Sequence, residues 1–339
     1  MKCIRTEDAV GHVLCHDMTQ IIPGVSKGPR FRKGHVVTEE DIPVLLSMGK
    51  ENLFVWEMEP GMVHENDAAE RLAALCGREN MTWSETKEGK IELKSAIEGV
   101  FLVDSARLFA VNSIDELMIA TRRGGGTVHP GDKLAGTRVI PLIIREEKLR
   151  QAEQAAGSAP LLSVRPFVRR TAAVITTGSE VAKGRIPDSF TPVVERKLAA
   201  FDIRMTEHIL VEDGQENVLE AIEQMKRRSV DMILCTGGMS VDPDDSTPGA
   251  IKASGADIVT YGAPVLPGAM FLLGYYGDGR PVMGLPGCVM YAKATIFDLV
   301  LPRIAADVRL EKRDFVAFGE GGLCLGCESC TYPHCGFGR

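Results

Sequence analysis

The sequence has few aromatic residues, no long apolar run and no excess of positive charge. Aromatic side chains make up 6% of its 339 residues. No apolar stretch approaches the roughly 20 residues of a membrane span, and the opening MKCIRTEDAVG lacks the apolar core of a secretory signal. The 39 Lys and Arg residues against 46 Asp and Glu give a net charge of −7, which argues against binding to a nucleic-acid backbone. We therefore expect a cytoplasmic protein that binds neither membrane nor nucleic acid.

The composition is otherwise that of a globular protein. Apolar residues make up 45% and charged residues 25%, and the length predicts two domains or three. Glycine is frequent, with 35 residues. Because glycine lets the backbone turn tightly and approach a ligand closely, this frequency favours a protein with ligand-binding loops.

The pattern of the chain predicts three parts. Residues 1–165 mix short strands and helices and predict an α+β region. In residues 166–310, apolar strand runs at 172–177, 203–211 and 231–236 alternate with helical stripes. Further strands are expected at 270–275 and 281–284, and then a long helix with Met290, Phe297 and Leu301 in the core. This alternation predicts a doubly wound, mostly parallel α/β sheet domain. Residues 311–339 form a Cys-rich tail.

Polar and glycine-rich loops follow the predicted strands. They lie at 176–180, 211–214, 236–248 and 285–287, and a Pro-Gly pair at 267–268 lies in a connecting loop. In such sheets ligands bind at the carboxyl ends of the strands. Backbone N–H groups freed by glycine, together with Thr and Ser hydroxyls, are suited to phosphate oxygens. The sequence therefore predicts an anionic ligand at this edge.

Carboxylates accompany the same loops, namely Glu180, Asp213, Asp242, Asp244 and Asp245. Each alone has an ordinary interpretation as a helix cap or a solvated loop residue. Together they would repel a phosphate unless a cation lay between them. Mg²⁺ held by one or two carboxylates and phosphate oxygens satisfies both requirements.

The motifs TTGSEV, IPDS, VEDG, CTGGMSVDPDDSTP, VLPGAM and MGLPGCVMYA, in this order, resemble the molybdopterin-binding domain of molybdenum cofactor biosynthesis over residues 170–305. GRPVMGLPG and GGMS are most similar to the molybdopterin molybdotransferase branch. The resemblance implies binding of molybdopterin or adenylylated molybdopterin as substrate and insertion of molybdate with the help of Mg²⁺. It also implies a homo-oligomer and favours a dimer, with the trimer of the related adenylyltransferases as the alternative.

The resemblance also assigns residues. Glu180, Asp213 and Asp245 fall on the acidic catalytic positions, and Asp213 and Asp245 are the expected Mg²⁺ ligands. The expected pterin- and nucleotide-binding positions are Thr176, Thr177, Gly178, Ser179, Gly237, Gly238, Met239, Ser240, Asp244, Thr247, Pro267, Gly268, Leu285, Pro286 and Gly287.

The chain departs from the molybdotransferase pattern in three ways. It lacks an early Asn-Ser-x-x-Asp-Gly segment, Phe190 replaces an Asn, and the Cys-rich tail stands where the branch has a small β domain. DDSTP is compatible with the adenylyltransferase branch, and DDST also fits the dinucleotide-cleaving competence-damage-inducible proteins. A non-catalytic carrier or sensor of the cofactor, serving a molybdoenzyme client, is a further alternative.

Four of the nine cysteines lie in the last 16 residues. Cys324, Cys327, Cys330 and Cys335 have the spacing C-x-x-C-x-x-C-x-x-x-x-C. The first three match a ferredoxin-type run for an iron–sulfur cluster, and four thiolates also suit Zn²⁺. The sequence predicts a metal site of one of these types, with a reduced, metal-free tail as the alternative.

Overall fold

The computed structural model describes residues 2–22, 26–55, 60–240 and 245–338. The chain forms two compact units. The first comprises Met1–Ala96, Val103–Arg122 and Pro130–Val164, and the second comprises Ile97–Leu102, Arg123–His129 and Arg165–Arg339. The domain limits expected at residues 165 and 310 stay predictions. Among the described residues, no helix has both the length and the apolar character that crossing a bilayer would require.

The strands are β1 (Lys2–Arg5), β2 (Met18–Ile22), β3 (Ser26–Phe31), β4 (Asn52–Val55), β5 (Met62–His64), β6 (Met81–Trp83), β7 (Lys90–Ser95), β8 (Gly99–Val103), β9 (Leu117–Thr121), β10 (Thr127–Val128), β11 (Lys133–Val139), β12 (Ile143–Arg145), β13 (Leu162–Arg165), β14 (Thr171–Thr177), β15 (Arg204–Val211), β16 (Met232–Thr236), β17 (Asp257–Tyr261), β18 (Leu272–Tyr275) and β19 (Pro281–Leu285). The α-helices are α1 (Asp41–Ser47), α2 (Glu65–Ala74), α3 (Ser105–Asn112), α4 (Glu146–Ala156), α5 (Ser179–Ala182), α6 (Thr191–Ala199), α7 (Gln215–Lys226), α8 (Thr247–Ala253), α9 (Ile296–Ala305) and α10 (Lys312–Val316).

The first unit is an α+β structure, as the sequence predicts. Its largest sheet is antiparallel and has the order β6-β7-β11-β9, and the pairs β1-β4, β2-β3 and β5-β12 are also antiparallel. Helix α2 places Ala68, Ala69, Leu72 and Ala73 on its buried face. A separate apolar cluster includes Leu14, Leu45 and Leu53.

The second unit is built on a six-stranded sheet of order β15-β14-β16-β19-β18-β17. Strands β15, β14, β16 and β19 are parallel, and β18 and β17 extend the sheet in antiparallel fashion. Strand β16 is buried at every position, as expected for a parallel strand covered on both faces. The predicted mostly parallel α/β sheet is therefore confirmed.

The last predicted helix begins later than the sequence pattern indicates. Residues Gly287–Met290 form a short 3-10 turn, and α9 begins only after its N-cap Thr295. The prediction of Met290 as a core residue is wrong, because the turn leaves its side chain 40% exposed, whereas Phe297 and Leu301 are buried. Thr295 and Asp298 form a reciprocal capping box, which fixes this start.

Candidate functional site

The carboxyl ends of the parallel strands lie side by side in the second unit. Thr176 pairs with Thr236, and Thr236 pairs with Leu285. On the other side of β14, Thr177 pairs with Val211. The loops that follow these strands therefore begin at a single edge of the sheet, which we call the carboxyl edge. This edge contains the loops in which the sequence predicts the ligand site.

Two glycines shape the loop after β16. Gly237 and Gly238 have φ values of +86° and +56°, in the left-handed region. A Cβ on Gly237 would lie 2.5 Å from the carbonyl oxygen of Thr177, and one on Gly238 would lie 2.8 Å from Oγ1 of Thr247. Because a Cβ has no room at either position, only glycine fits this turn.

Thr247 holds the far end of this loop, at the start of α8. Its Oγ1 donates to the carbonyl oxygen of Gly237 at 2.9 Å, and its N–H donates to that of Gly238 at 3.2 Å. Oγ1 of Thr177 is buried beside the same loop and has no hydrogen-bond partner within the described chain. Thr247 thus ties the far end of the loop to its first two residues, and a polar atom with unused hydrogen-bonding capacity lies beside those residues. Asp242 and Asp244, named in the sequence prediction, lie outside the described residues.

The three predicted catalytic acids follow three of the parallel strands. Asp213 Oδ2 accepts from the N–H of Ser179 at 2.8 Å, and this bond joins the loops after β15 and β14. Asp245 Oδ2 accepts from the N–H of Ser240 at 2.8 Å. The second oxygen of each carboxylate has no hydrogen bond to the described chain. Glu180 is exposed in the first turn of α5.

The remaining predicted ligand positions lie near the same edge. Tyr261, the last residue of β17, pairs with Leu272, the first residue of β18. Leu272 also pairs with Gly284, which lies one residue before the end of β19. The connection from β17 to β18 therefore starts and ends at the carboxyl edge. This connection carries Pro267 and Gly268. Gly268 has φ +128°, and a Cβ on it would lie 2.5 Å from Cγ2 of Ile296. Leu285 and Pro286 are buried, whereas Gly178 and Ser179 are half-buried and Gly287 is exposed.

Sequence reasoning missed a polar network near the edge, in which three threonines are buried, Asp188 is half-buried and His208 is exposed. Oγ1 of Thr176 contacts Oγ1 of Thr191 at 3.0 Å and Nε2 of His208 at 3.2 Å, and it accepts from Oγ1 of Thr236 at 3.2 Å. Asp188 accepts from the Thr191 hydroxyl and lies 3.6 Å from Nε2 of His208. The sequence singled out Thr176, as a ligand position, and IPDS, which contains Asp188, but not their contact. The members come from β14, the loop before α6, α6, β15 and β16, and they meet only in the folded chain.

The hydrogen bonds of this network control the charge of Asp188. Burial acts to raise the carboxyl pKa, but hydrogen bonds from the side chain and N–H of Thr191 and from the N–H of Phe190, together with nearby His208, outweigh it. The net pKa lies below the usual 3.8, so Asp188 is a stable carboxylate. Phe190, which replaces the Asn of the molybdotransferase pattern, is buried in the core.

Tyr261 is a second residue that the sequence did not single out. It ends the edge strand β17, and its hydroxyl donates to the carbonyl oxygen of Met239 at 3.3 Å. Burial raises the pKa of Tyr261, and the negative charge of Asp245 raises it further. Tyr261 therefore stays a neutral hydrogen-bond donor beside the loop after β16, which we call the glycine loop after Gly237 and Gly238.

No preassembled metal site is present in the described chain. Within residues 2–22, 26–55, 60–240 and 245–338, no three His, Cys, Asp or Glu side chains form a group that could hold a metal ion. Of the tail thiols, Cys327 and Cys330 are exposed, while Cys324 and Cys335 are half-buried against the core of the second unit. All four are free thiols. The predicted ligand roles of the two aspartates and four cysteines stay predictions.

Comparison with known proteins identifies two segments. Residues 173–306 match a family model described as a probable molybdopterin binding domain, and residues 3–57 match a domain of unknown function. A competence-damage inducible protein of Bacillus cereus (strain AH187) is 32% identical over 90 residues, which are 26% of this chain and 22% of that protein. The chain thus spans about a fifth of the length of the curated relatives it matches.

Several solved structures are similar to part of the chain. The CinA protein of Thermoplasma acidophilum is 17% identical with a TM-score of 0.35, covering 40% of this chain and 98% of that one. The molybdopterin biosynthesis Mog protein of Mycobacterium ulcerans is 24% identical with a TM-score of 0.33, covering 40% and 91%. The family match coincides with the sheet whose carboxyl edge carries the candidate site. Residues 173–306 therefore match the family model of a probable molybdopterin binding domain.

Proposed function

We propose that the carboxyl edge binds adenylylated molybdopterin and that the protein cleaves its adenylyl group and inserts molybdate. The observation that carries this proposal is the coincidence of the family match at residues 173–306 with the glycine loop at Gly237 and Gly238. The positive φ values of both glycines turn the chain sharply, and successive backbone N–H groups in such a turn can form a concave anion-binding site. The ligand is therefore an anion with a phosphate group at this loop.

The side chains around the loop suit the two ends of such a ligand. The hydroxyl groups of Ser179 and Ser240 lie in the loops after β14 and β16, where they can donate to phosphate oxygens, since the N–H groups of both serines already bind carboxylates. Pro267, Gly268, Pro286 and Gly287 lie in the loops on the β19 side of the edge, and we assign the pterin to this side. Tyr261 and Thr247 keep the glycine loop in place through Met239 and Gly237.

The residues present fit Mg²⁺ as a group shared with the ligand. Asp213 and Asp245 each keep one carboxylate oxygen available, and Mg²⁺ is commonly bound by one or two carboxylates together with substrate phosphates. When bound, it would withdraw electron density from the phosphoanhydride and stabilise the departing AMP. Asp213 and Asp245 would hold the Mg²⁺, and the N–H groups of Ser179 and Ser240 fix these carboxylates in place. Water adds to the phosphorus of the pterin phosphate, the P–O bond to the bridging oxygen breaks, AMP leaves with that oxygen, and the protons of the water pass to the solvent.

The test is AMP release from adenylylated molybdopterin with Mg²⁺ and molybdate. Asp245→Asn keeps an oxygen to accept from Ser240 but removes the charge, so we expect ligand affinity to change little. The rate should fall about 100-fold or more, the equivalent of several kcal/mol of electrostatic stabilisation. Asp257→Asn is the matched control. Asp257 is the first residue of β17 and pairs with Tyr275, so it lies at the end of the sheet opposite the carboxyl edge. AMP release that survives Asp245→Asn would refute the role of Asp245.

A second candidate function is cleavage of a dinucleotide. It is favoured by the 32% identity to a competence-damage inducible protein and by DDST at Asp244–Thr247, which fits that group of proteins. The same assay with ADP-ribose and NAD in place of the pterin separates the two functions. Release of AMP from ADP-ribose or NAD, without release from the adenylylated pterin, would support this second function. Tight pterin binding without AMP release from any of the three would instead identify a carrier or sensor.

A further inference from the structure

Residues 321–338 form a loop that is closed on itself and fastened to the second unit. The N–H of Gly338 donates to the carbonyl oxygen of Gly321 at 2.8 Å. Near its start, Leu266 donates to the carbonyl oxygen of Gly322, and Cys324 donates to that of Leu266, both at 2.8 Å. We call residues 321–338 the thiol loop, because all four tail cysteines lie in it.

The far end of the thiol loop is anchored on helix α9. Phe337 is 5% exposed and belongs to the main core of the unit, and the Tyr332 hydroxyl donates to the carbonyl oxygen of Asp298 at 3.0 Å. Gly338 packs so closely on Leu299 that a Cβ there would lie 2.3 Å from Cδ2. The two ends of the loop are therefore fixed by main-chain bonds and by burial.

The middle of the thiol loop is unrestrained by comparison. Residues 325–330 take part in no hydrogen bond or ion pair with any described residue. Cys327 and Cys330 lie within this stretch and are exposed, whereas Cys324 and Cys335 lie near the anchored ends and are half-buried. Two thiols are thus held close to the core, and two lie on a segment without hydrogen bonds or ion pairs to the rest of the described chain.

We propose that the thiol loop binds one thiophilic metal centre through the thiolates of Cys324, Cys327, Cys330 and Cys335. Four thiolates select Zn²⁺ or an iron–sulfur cluster over hard cations. The described chain holds no preassembled group of three ligands, so the centre forms by closure of residues 325–330 over the metal. Such closure couples binding to local ordering and releases the thiol protons. Because the ends are already fixed, only the short middle segment pays the entropy of ordering.

The test uses the full chain, freed of metal under reducing, oxygen-free conditions. One portion is titrated with Co²⁺ as a spectroscopic substitute for Zn²⁺, and another is incubated with ferrous iron and sulfide. We expect one Co²⁺ per chain with an intense thiolate charge-transfer band, or a coloured cluster containing acid-labile sulfide. Either result supports the proposal, and the two arms distinguish the metal. Hydrogen exchange of residues 325–330 should slow on loading.

The variant Cys327→Ser/Cys330→Ser should abolish the thiolate band and the cluster. Both residues are exposed, so the fold should be kept, as circular dichroism can check. Cys3→Ser, an exposed cysteine of the first unit, is the matched control and should bind as the parent does. Absence of both the band and the cluster in the parent protein, or a signal that persists in the double variant, would overturn the proposal. Neither readout involves the pterin, so the outcome is independent of the proposed function.

Discussion

The side chain of Met239 occupies the space above Gly284 where any other residue would place its Cβ. An ideal Cβ on Gly284 would lie 2.5 Å from both Cε and Sδ of Met239. Met239 is 3% exposed and lies in the glycine loop, while Gly284 is in β19. The GGMS and MGLPG motifs, 45 residues apart in the chain, are therefore in direct contact in the folded protein.

This contact predicts a coupled pair of substitutions. Gly284→Ala should lower the free energy of unfolding by about 1–3 kcal/mol, because the new methyl displaces Met239. In a Met239→Ala background the space is already empty, so Gly284→Ala should cost at least about 0.5 kcal/mol less. Urea denaturation of the two single variants and the double variant measures the coupling. Strictly additive effects would show that Met239 does not fill this space.

Gly268→Ala should be strongly destabilising. Its φ of +128° disfavours alanine, and the added Cβ would lie 2.5 Å from Ile296 Cγ2 and 3.0 Å from the Ile296 nitrogen. We expect a loss of about 2 kcal/mol or more, measured by thermal or urea unfolding. Gly277→Ala is the control, since a Cβ there meets nothing within 4 Å and φ is not positive. Equal stability of the two variants would contradict the close contact at Ile296.

Asp188→Asn should alter how stability depends on pH. The pKa of Asp188 in the folded chain is lower than the ordinary 3.8, so the native state binds fewer protons than the unfolded state in this range. The stabilisation is present above pH 3.8 and is lost as the pH falls through the folded-state pKa. The variant should lose about 1.5–3 kcal/mol at neutral pH and show a shallower fall in stability under acid. Unfolding curves at several pH values test this, with Asp257→Asn as control.

Thiol labelling should divide the cysteines by burial. Burial raises the pKa of Cys76 and of Cys235 to about 12, and both side chains are fully covered. The thiolate is the reactive form, so both should resist alkylation in the native, metal-free protein at mildly alkaline pH. Cys3, Cys327 and Cys330 are exposed and should react first. Mass spectrometry of the labelled peptides gives the order, and early labelling of Cys235 would contradict the buried placement of β16.

The sequence predicted the parallel strands well because buried strands appear as uninterrupted apolar runs, as at Ala172–Thr177. The edge strand β17 was missed, since its apolar run, Ile258 and Val259, is short and only one of its five residues is buried. The loops at the carboxyl edge were predicted from glycine and acid content alone. The contact between Asp188 and His208 could not be predicted, because a network that spans several elements leaves no periodic signal in any one segment of the sequence. Met290 was misplaced because a 3-10 turn interrupts the helical pattern.

The family match ends at residue 306, but the hydrophobic interior of this unit does not. Phe315 stacks on Phe271 with ring centroids 6.0 Å apart, and Phe318 and Phe337 are buried in the same cluster. A polypeptide trimmed to the matched segment would lack Phe315 and would leave the ring of Phe271 uncovered. Phe271 lies at the end of the connection that carries Pro267. The smallest autonomous version of this unit is therefore longer than the matched segment, and residues 315–337 are as much a part of its fold as its strands.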